Sequence, residues 1–264
     1  MIIIGEKING AIPSSARAIA ERDADFIRDL AIRQTEAGAD YLDICAGTAP
    51  ELERDALKWL LGVVQETVDT PICIDSPDPD VLCDMVPLIN RPGIINSVSG
   101  EGNKCDIIYT LLKDSDWKVV ALTCDDAGIP ADAERKIEIG LQLIEKAAAY
   151  GITPDRIFID PLVLSLSAVS DSLLNFNAAV RRLAEIHPTV HFTSGLSNIS
   201  FGMPKRKLIN QNFLAFAIEA GMDSAIMDPT DTVMFAEILA AEAILGRDKY
   251  CRAYNKAYRQ GRLG

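Results

Sequence analysis

Asp43, Asp75, Asn96, Asp160, Asn198 and Asp228 each stand at or just past the end of a short apolar run, in YLDI, ICID, GIIN, RIFID, HFTSGLSN and SAIMD. Oxygen- and amide-bearing side chains repeated in this way can do three kinds of chemistry. Four aspartates could hold a hard cation such as Mg²⁺. Carboxyl groups in contrasting surroundings could divide the work of general acid and base. A mixed set could also bracket a flat polar heterocycle, because a carboxylate accepts two parallel hydrogen bonds while an amide donates and accepts at once.

The other candidate groups narrow the choice. Two of the six positions are Asn, which weighs against a metal ring and towards an uncharged ligand. The only histidines are His187, in a helix-ending turn before Pro188, and His191, at the far end of a strand, so zinc and Ser-His-Asp chemistry lack a histidine where the six residues gather. A Schiff base needs an inward lysine at a strand end. Lys7 alone comes close, since Lys118 opens its strand and faces the opposite end. SGLSNIS is not a nucleophile elbow, and SGEGN at residues 99–103 is an isolated Gly-rich turn rather than a phosphate cradle. The six cysteines, at 45, 73, 83, 105, 124 and 251, form no CxxC, which argues against a zinc or disulfide framework. Cys45, two residues past Asp43, is the one cysteine placed for reactivity.

Stepping from side chains to the elements that must carry them, strand-like and helix-like segments alternate eight times. MIII precedes a helix spanning Ser14 to Ala37, closed by Gly38. DYLDI precedes a helix from Pro50 to Thr67, PICID one from Pro79 to Val86, GIINSV one from Cys105 to Leu112, and KVVALT one from Ala131 to Tyr150. RIFID is followed by a helix from Ser172 to Ile186, VHFTSG by one from Lys205 to Ala220, and DSAIMD by one from Asp231 to Leu245. Short apolar strands joined by helices imply a parallel sheet covered by helices, and eight such units predict a (β/α)₈ TIM barrel formed as one domain over residues 1–264. No GxGxxG follows MIII, which weakens a dinucleotide-binding sheet. Barrel topology gathers all six polar residues at one mouth. Glu6, Lys7 and Asn9 after the first strand, and Thr123 and Asp125 after the fifth, are expected to border it.

A net charge of −12 argues against nucleic acid as a partner. No apolar run approaches the roughly 20 residues of a membrane span, and MIIIGEKING carries no basic leader, so a cytoplasmic location is expected. The basic strip Arg247, Lys249, Arg252, Lys256, Arg259 and Arg262 is read as a solvated terminal helix.

A pocket of carboxylates and amides with no evident nucleophile, strong base or metal matches the 2-amino-4-oxo edge of a pterin. At this point the ordered motifs IIGEKING, GADYLDI, CIDSPDP, IINSVSGE, GIP, FIDPL, GLSNISFGMP and RKLIN…FLAFAIEAGMDSAIMDP carry a resemblance along nearly the whole chain. The sequence resembles the pterin-binding methyltransferases, which include the methyltetrahydrofolate:corrinoid protein methyltransferases and the folate domain of cobalamin-dependent methionine synthase. The resemblance implies a homodimeric barrel that takes tetrahydrofolate or 5-methyltetrahydrofolate in its mouth and docks a separate corrinoid (cobalamin-bearing) protein above it. Carried over, Asp75, Asn96 and Asp160 hydrogen-bond the pterin ring. Asn198 sits near N5, with Gly195 and Ser197 shaping its loop, and Arg206 lies near the folate tail. Asp43 and Asp228 support the mouth.

The SFGMP loop is closer to the methyltransferases of O-demethylase and related demethylation systems than to those serving a corrinoid iron-sulfur protein. This favours transfer from methylcorrinoid to tetrahydrofolate over the reverse. Dihydropteroate synthase shares the barrel and pterin pocket but calls for a GGES-like loop where this chain reads DICAGTAPE. A non-catalytic pterin-binding barrel is the alternative of another class.

Overall fold

The computed structural model describes residues 1–263. Eight parallel strands pair in the order β7-β6-β5-β4-β3-β2-β1-β8, with helices between them, as the alternation predicts. In chain order, β1 (Ile2–Asn9) leads to α1 (Pro13–Glu21) and α2 (Ala24–Glu36), then β2 (Tyr41–Cys45) to α3 (Pro50–Thr67), and β3 (Ile72–Asp75) to α4 (Pro79–Met85). β4 (Ile94–Gly100) precedes α5 (Lys104–Leu112), and β5 (Lys118–Asp125) precedes α6 (Ala133–Ala149). β6 (Ile157–Asp160) is followed by α7 (Ser172–Ile186), β7 (His191–Phe192) by α8 (Arg206–Ala220), and β8 (Ser224–Met227) by α9 (Thr232–Ile244) and α10 (Arg252–Arg259). The result is a nearly closed (β/α)₈ TIM barrel. The strand 7 segment pairs regularly over only two residues; beyond them, closure rests on a Gly195–Ile226 bridge and on the Ile226 N–H donating to the Ser194 carbonyl at 3.0 Å.

Alternation along each strand sorts side chains into two cores. Ile4, Cys73, Ile94, Val120 and Phe158 fill the barrel interior, joined by Ile2, Tyr41, Leu122 and Ile226. The residues between them, such as Leu42, Ile44, Ile74, Ile95, Val119 and Ile159, face the helices. At the amino-terminal end the interior is closed by Lys118, whose ammonium meets the Tyr41 hydroxyl at 3.1 Å, and by His191, stacked on Phe158 and paired with Asp223 at 2.6 Å. Both are structural, as their positions at strand starts imply.

Three sequence expectations change. The helix drawn from Ser14 to Ala37 is two, because Arg22 adopts a left-handed φ of 55° and Asp23 accepts from the Phe26 N–H at 3.0 Å, capping α2 afresh. The fifth strand runs to Asp125 rather than Thr123, and its alternation points Thr123 away from the mouth into full burial. Asp125 also leaves the mouth, bonding Arg135 of α6. The basic strip is not one solvated helix. Arg247 donates to the Ile218 carbonyl, while Arg262 donates to the Ala37 carbonyl and lies over the Phe235 ring.

The β1 and β2 ends cross in contact at Gly10. A Cβ there would lie 2.0 Å from the Ala46 carbonyl oxygen, and Gly47 opposite it holds a φ of +58°. Since this crossing fixes Asn9 beside Cys45, Gly10→Ala should force the two loops apart and lower stability by about 2 kcal/mol or more. Thermal unfolding followed by circular dichroism checks this; an unchanged midpoint would show that the loops part without cost.

Candidate active site

Two residues above the interior layer, the same alternation brings different chemistry inward. Ile4 gives way to Glu6, Cys73 to Asp75, Ile94 to Asn96 and Phe158 to Asp160, while the fifth strand continues with Leu122. These groups line a cavity of about 890 Å³ at the carboxyl ends of the strands, where barrel enzymes place their chemistry. Asp43 lies one level lower: it pairs in register with Cys73, whereas Cys45, Asp75 and Asn96 share the next level. It is 1% exposed and accepts from the Asn96 side-chain amide at 3.2 Å, so it orients that amide from below.

Gly195, Ser197, Asn198 and Arg206 reach the same cavity from the segment after β7. A short 3₁₀ helix, Leu196–Ser200, carries Asn198. Its backbone is tied at both ends, N–H to the Gly195 carbonyl at 3.2 Å and carbonyl to the Phe201 N–H at 3.1 Å. Its exposed side-chain amide bonds no protein group among the described residues and is free for a ligand. Arg206 steadies the turn, donating to the Ser197 carbonyl at 2.7 Å and the Ser200 hydroxyl at 3.0 Å. Both acceptors are neutral, which leaves the guanidinium charge available at the rim.

Asp228 and Lys7 stand beside the cavity and satisfy each other, 3.3 Å apart. Asp228 also accepts from the Thr230 N–H and hydroxyl at 2.9 and 2.6 Å, so its carboxylate is engaged in a turn. Glu6 and Asn9 line the cavity as expected for border residues, whereas Lys7, Thr123 and Asp125 do not. The SGEGN turn holds its own anion, with the Ser99 hydroxyl and Lys104 both donating to Glu101.

Three features escape sequence reasoning. Phe201 lines the rim with 69% of its surface exposed, and its carbonyl accepts from the Ser165 and Ser167 hydroxyls at 2.5 and 3.2 Å. The Leu166 N–H adds a bond to the Ile199 carbonyl at 3.0 Å, so the loop after β6 is fastened to the loop after β7. Lys136 of α6 is the third: only 2% exposed, it donates to the Pro161 and Leu162 carbonyls at 2.6 and 2.9 Å. A lysine in an amphipathic helix reads as exposed, so only the structure reveals it. Asp160 in turn accepts from the Leu162 N–H at 2.7 Å.

Burial raises the pKa of all four inward carboxyls. Glu6 is pushed up to about 7, the Lys7 and Arg206 charges only partly offsetting burial and Asp228. Asp75 rises to about 6 by burial, against a thiol contact from Cys45. Asp160 also reaches about 6, with Leu162, Lys136 and Gly195 restraining it. Asp43 lies well above the usual carboxylate range because it is buried beside Asp75. The Cys45 and Cys73 thiols are pushed up by the same burial and the same carboxylates, so neither is a thiolate nucleophile near neutral pH.

A cavity that keeps several carboxyls dry favours a ligand that brings hydrogen-bond donors. The same burial cost bears on stability. A folded-state value raised above the unfolded one contributes stability at low pH that is lost as pH rises through the folded value. For Asp75 that window runs from 3.8 to about 6. Asp75→Asn should therefore be more stable than the parent at pH 8 by on the order of 1–2 kcal/mol, an advantage that shrinks as pH falls through this window. Thermal midpoints at pH 5 and pH 8 decide the matter, and equal advantages at both would sink the idea.

Known proteins share this architecture. A family model described as "Pterin binding enzyme" matches residues 8–228. The chain is 56% identical to the methylcorrinoid:tetrahydrofolate methyltransferase of Eubacterium limosum, over 100% of this chain and 98% of that one. It is 32% identical to methionine synthase of Mycobacterium leprae over 86% of this chain, which spans 20% of that longer protein. The structure of dihydropteroate synthase from Xanthomonas albilineans in complex with 7,8-dihydropteroate superposes with a TM-score of 0.68 at 20% identity, covering 92% of each chain, a likeness of fold. By the span of the family match and by the full-length identity, the chain belongs to the pterin-binding enzymes.

Proposed function

We propose that this protein transfers a methyl group from the cobalt of a corrinoid protein to N5 of tetrahydrofolate. Methyl transfer between corrinoid and tetrahydrofolate follows from its kinship with the Eubacterium limosum enzyme along the whole chain. The observation that carries the site assignment is the pairing of dry carboxyl groups with an unengaged amide, Asn198, across one cavity.

In this reading Asp75 and Asp160 accept from the pterin amino group and ring N–H, and Asn96, oriented by Asp43, complements the ring edge. Arg206 faces the anionic tail from the rim. Methyl transfer is an in-line displacement. The N5 lone pair forms the N–C bond, the Co–C pair returns to the metal as Co(I), and the N5 proton leaves to solvent. The chain supplies orientation and a polar setting for the charge that develops on N5, through the Asn198 amide. No protein nucleophile is required, in keeping with the protonated Cys45 thiol of the cavity. The direction towards tetrahydrofolate is supported by the SFGMP loop and by the name of the Eubacterium limosum relative.

We further place the protein in the cytoplasm and as a homodimer. Six free cysteines suit a reducing compartment, and no described helix is long and apolar enough to cross a membrane. For the dimer, α7 and α8 leave Leu174, Leu208 and Phe216 exposed around an apolar groove of about 430 Å³ floored by Phe213, which a second copy would cover.

Mixing the protein with methylcobalamin and tetrahydrofolate should yield cob(I)alamin absorbance and 5-methyltetrahydrofolate. No transfer in either direction, with a corrinoid protein supplied, would remove the assignment. Binding of folate without any change in the cobalt spectrum would mark a non-catalytic barrel instead. Asn198→Ala should lower kcat by about 10²- to 10³-fold with a folate Kd within a few-fold of the parent; parental rates would strip Asn198 of its role. In cells, isotope from a methylated donor should enter 5-methyltetrahydrofolate and cease to do so on deletion of the gene, whereas persistence of the label would count against this direction. Light scattering should return twice the 28.7 kDa of one chain, and Leu174→Asp with Leu208→Asp should return one chain's mass; a monomeric parent would overturn the dimer.

A further inference from the structure

A lysine in the first turn of a helix opposes the helix dipole, and burying its ammonium adds a desolvation cost. Lys136 does both, in the first turn of α6 at 2% exposure. What it meets there is the turn that leaves β6: the Pro161 carbonyl at 2.6 Å and the Leu162 carbonyl at 2.9 Å. Leu162 itself sits at a left-handed φ of 53°, a conformation that is unfavourable for a non-glycine residue. That unusual turn aims the Leu162 N–H at Asp160, 2.7 Å away. Two unfavourable placements thus converge on one carboxylate of the cavity.

We propose that Lys136 is a positioning residue for pterin recognition: it locks the Pro161–Leu162 turn behind Asp160 and provides the buried positive charge that keeps Asp160 an anion facing the ring's N–H donors. This rests on the reading of Asp160 as a pterin acceptor. The charged and titratable groups around the pair are few. Burial draws Lys136 down to about 8, partly offset by the charges of Asp160, the α6 cap Asp132 and Cys124 of β5. Asp160 faces Lys136 and the backbone N–H groups of Leu162 and Gly195. The ammonium is therefore the nearby cation that offsets burial of Asp160. A lysine that merely filled space would affect stability alone, whereas a positioning lysine also sets the pH at which the cavity accepts folate.

The test compares tetrahydrofolate binding, by fluorescence titration from pH 5 to 8.5, in the parent, Lys136→Gln and Lys136→Met. Glutamine keeps donors for the two carbonyls without the charge; methionine removes both. In the parent, affinity should fall as pH drops through about 6, where Asp160 takes up its proton. In Lys136→Gln the fall should begin about one pH unit higher, leaving affinity about threefold weaker at pH 6.5 and near parental at pH 8. Lys136→Met should show the same shift and weaker binding at every pH. Asp75 and Glu6 titrate in a neighbouring range, but Lys136 is not among the groups that set their acidity, so their share of the profile should stay in place. Folded variants with an unshifted profile overturn the proposal.

If neither variant folds, nitrogen-15 NMR of the lysine ammonium supplies the answer in a chain that keeps Lys136. Asp160→Asn should lower the Lys136 midpoint below its parental value of about 8, and an unmoved midpoint overturns the proposal. A parent that binds no folate at any pH defeats the assignment of the cavity. The NMR comparison still reads the Lys136–Asp160 coupling in that case, so the two failures are told apart.

Discussion

A carboxylate surrounded by protein and met by few cations keeps its charge only at a cost, and four such groups share the mouth of this barrel. Parallel strands impose the arrangement. Their alternation sends every second side chain inward, and closure of the sheet stacks those side chains in layers above an apolar interior of Ile4, Cys73, Ile94, Val120 and Phe158. Whatever stands two residues farther along each strand must face the same confined space. Where that residue is acidic, its proton affinity rises, as in Glu6, Asp75 and Asp160. The strain is concentrated where a ligand rich in N–H groups would relieve it.

The rest of the structure restrains that strain. Asp43 gives its oxygen to the Asn96 amide. Asp228 is matched by Lys7, and Asp125 is drawn away to Arg135. Lys136 reaches Asp160 from behind, through the turn that carries it. Asp125 and Asp228, which stand outside the cavity, are each paired with a cation, while the inward carboxyls Glu6, Asp43, Asp75 and Asp160 meet none at ion-pair distance among the described residues. That division, more than any single residue, separates the part of the mouth built to receive a ligand from the part built to hold the barrel together.

Much of this was legible in the chain itself. Asp75, Asn96 and Asp160 end apolar runs two residues beyond an interior side chain, so strand periodicity alone aims them at the mouth. Asn198 stood out as a polar residue past the HFTSG run, but its assigned role, like the choice of Arg206, came only through the ordered GLSNISFGMP and RKLIN motifs, because both belong to an irregular segment where no period applies. Thr123 and Asp125 were misplaced for want of one residue of parity: inward positions on β5 are even-numbered up to Leu122. The break between α1 and α2 lay hidden because the apolar pattern continues across it, although Asp23 carries the chemistry of a cap. Lys136 left no sequence signal, since burial of a lysine depends on carbonyl groups supplied by a distant loop.

The fastening of the two loops after β6 and β7 has a mechanical meaning. Ser165 and Ser167 hold the Phe201 carbonyl, and Leu166 holds that of Ile199, so the segment leaving Asp160 and the segment carrying Asn198 form a single plate. Pressure applied to the exposed Phe201 edge is shared by both strand ends. Any load on that rim would therefore be borne by the strand end carrying Asp160 and the turn carrying Asn198 together. Two loops fastened at three points move as one, so the distance between Asp160 and Asn198 would vary less than it would on independent loops.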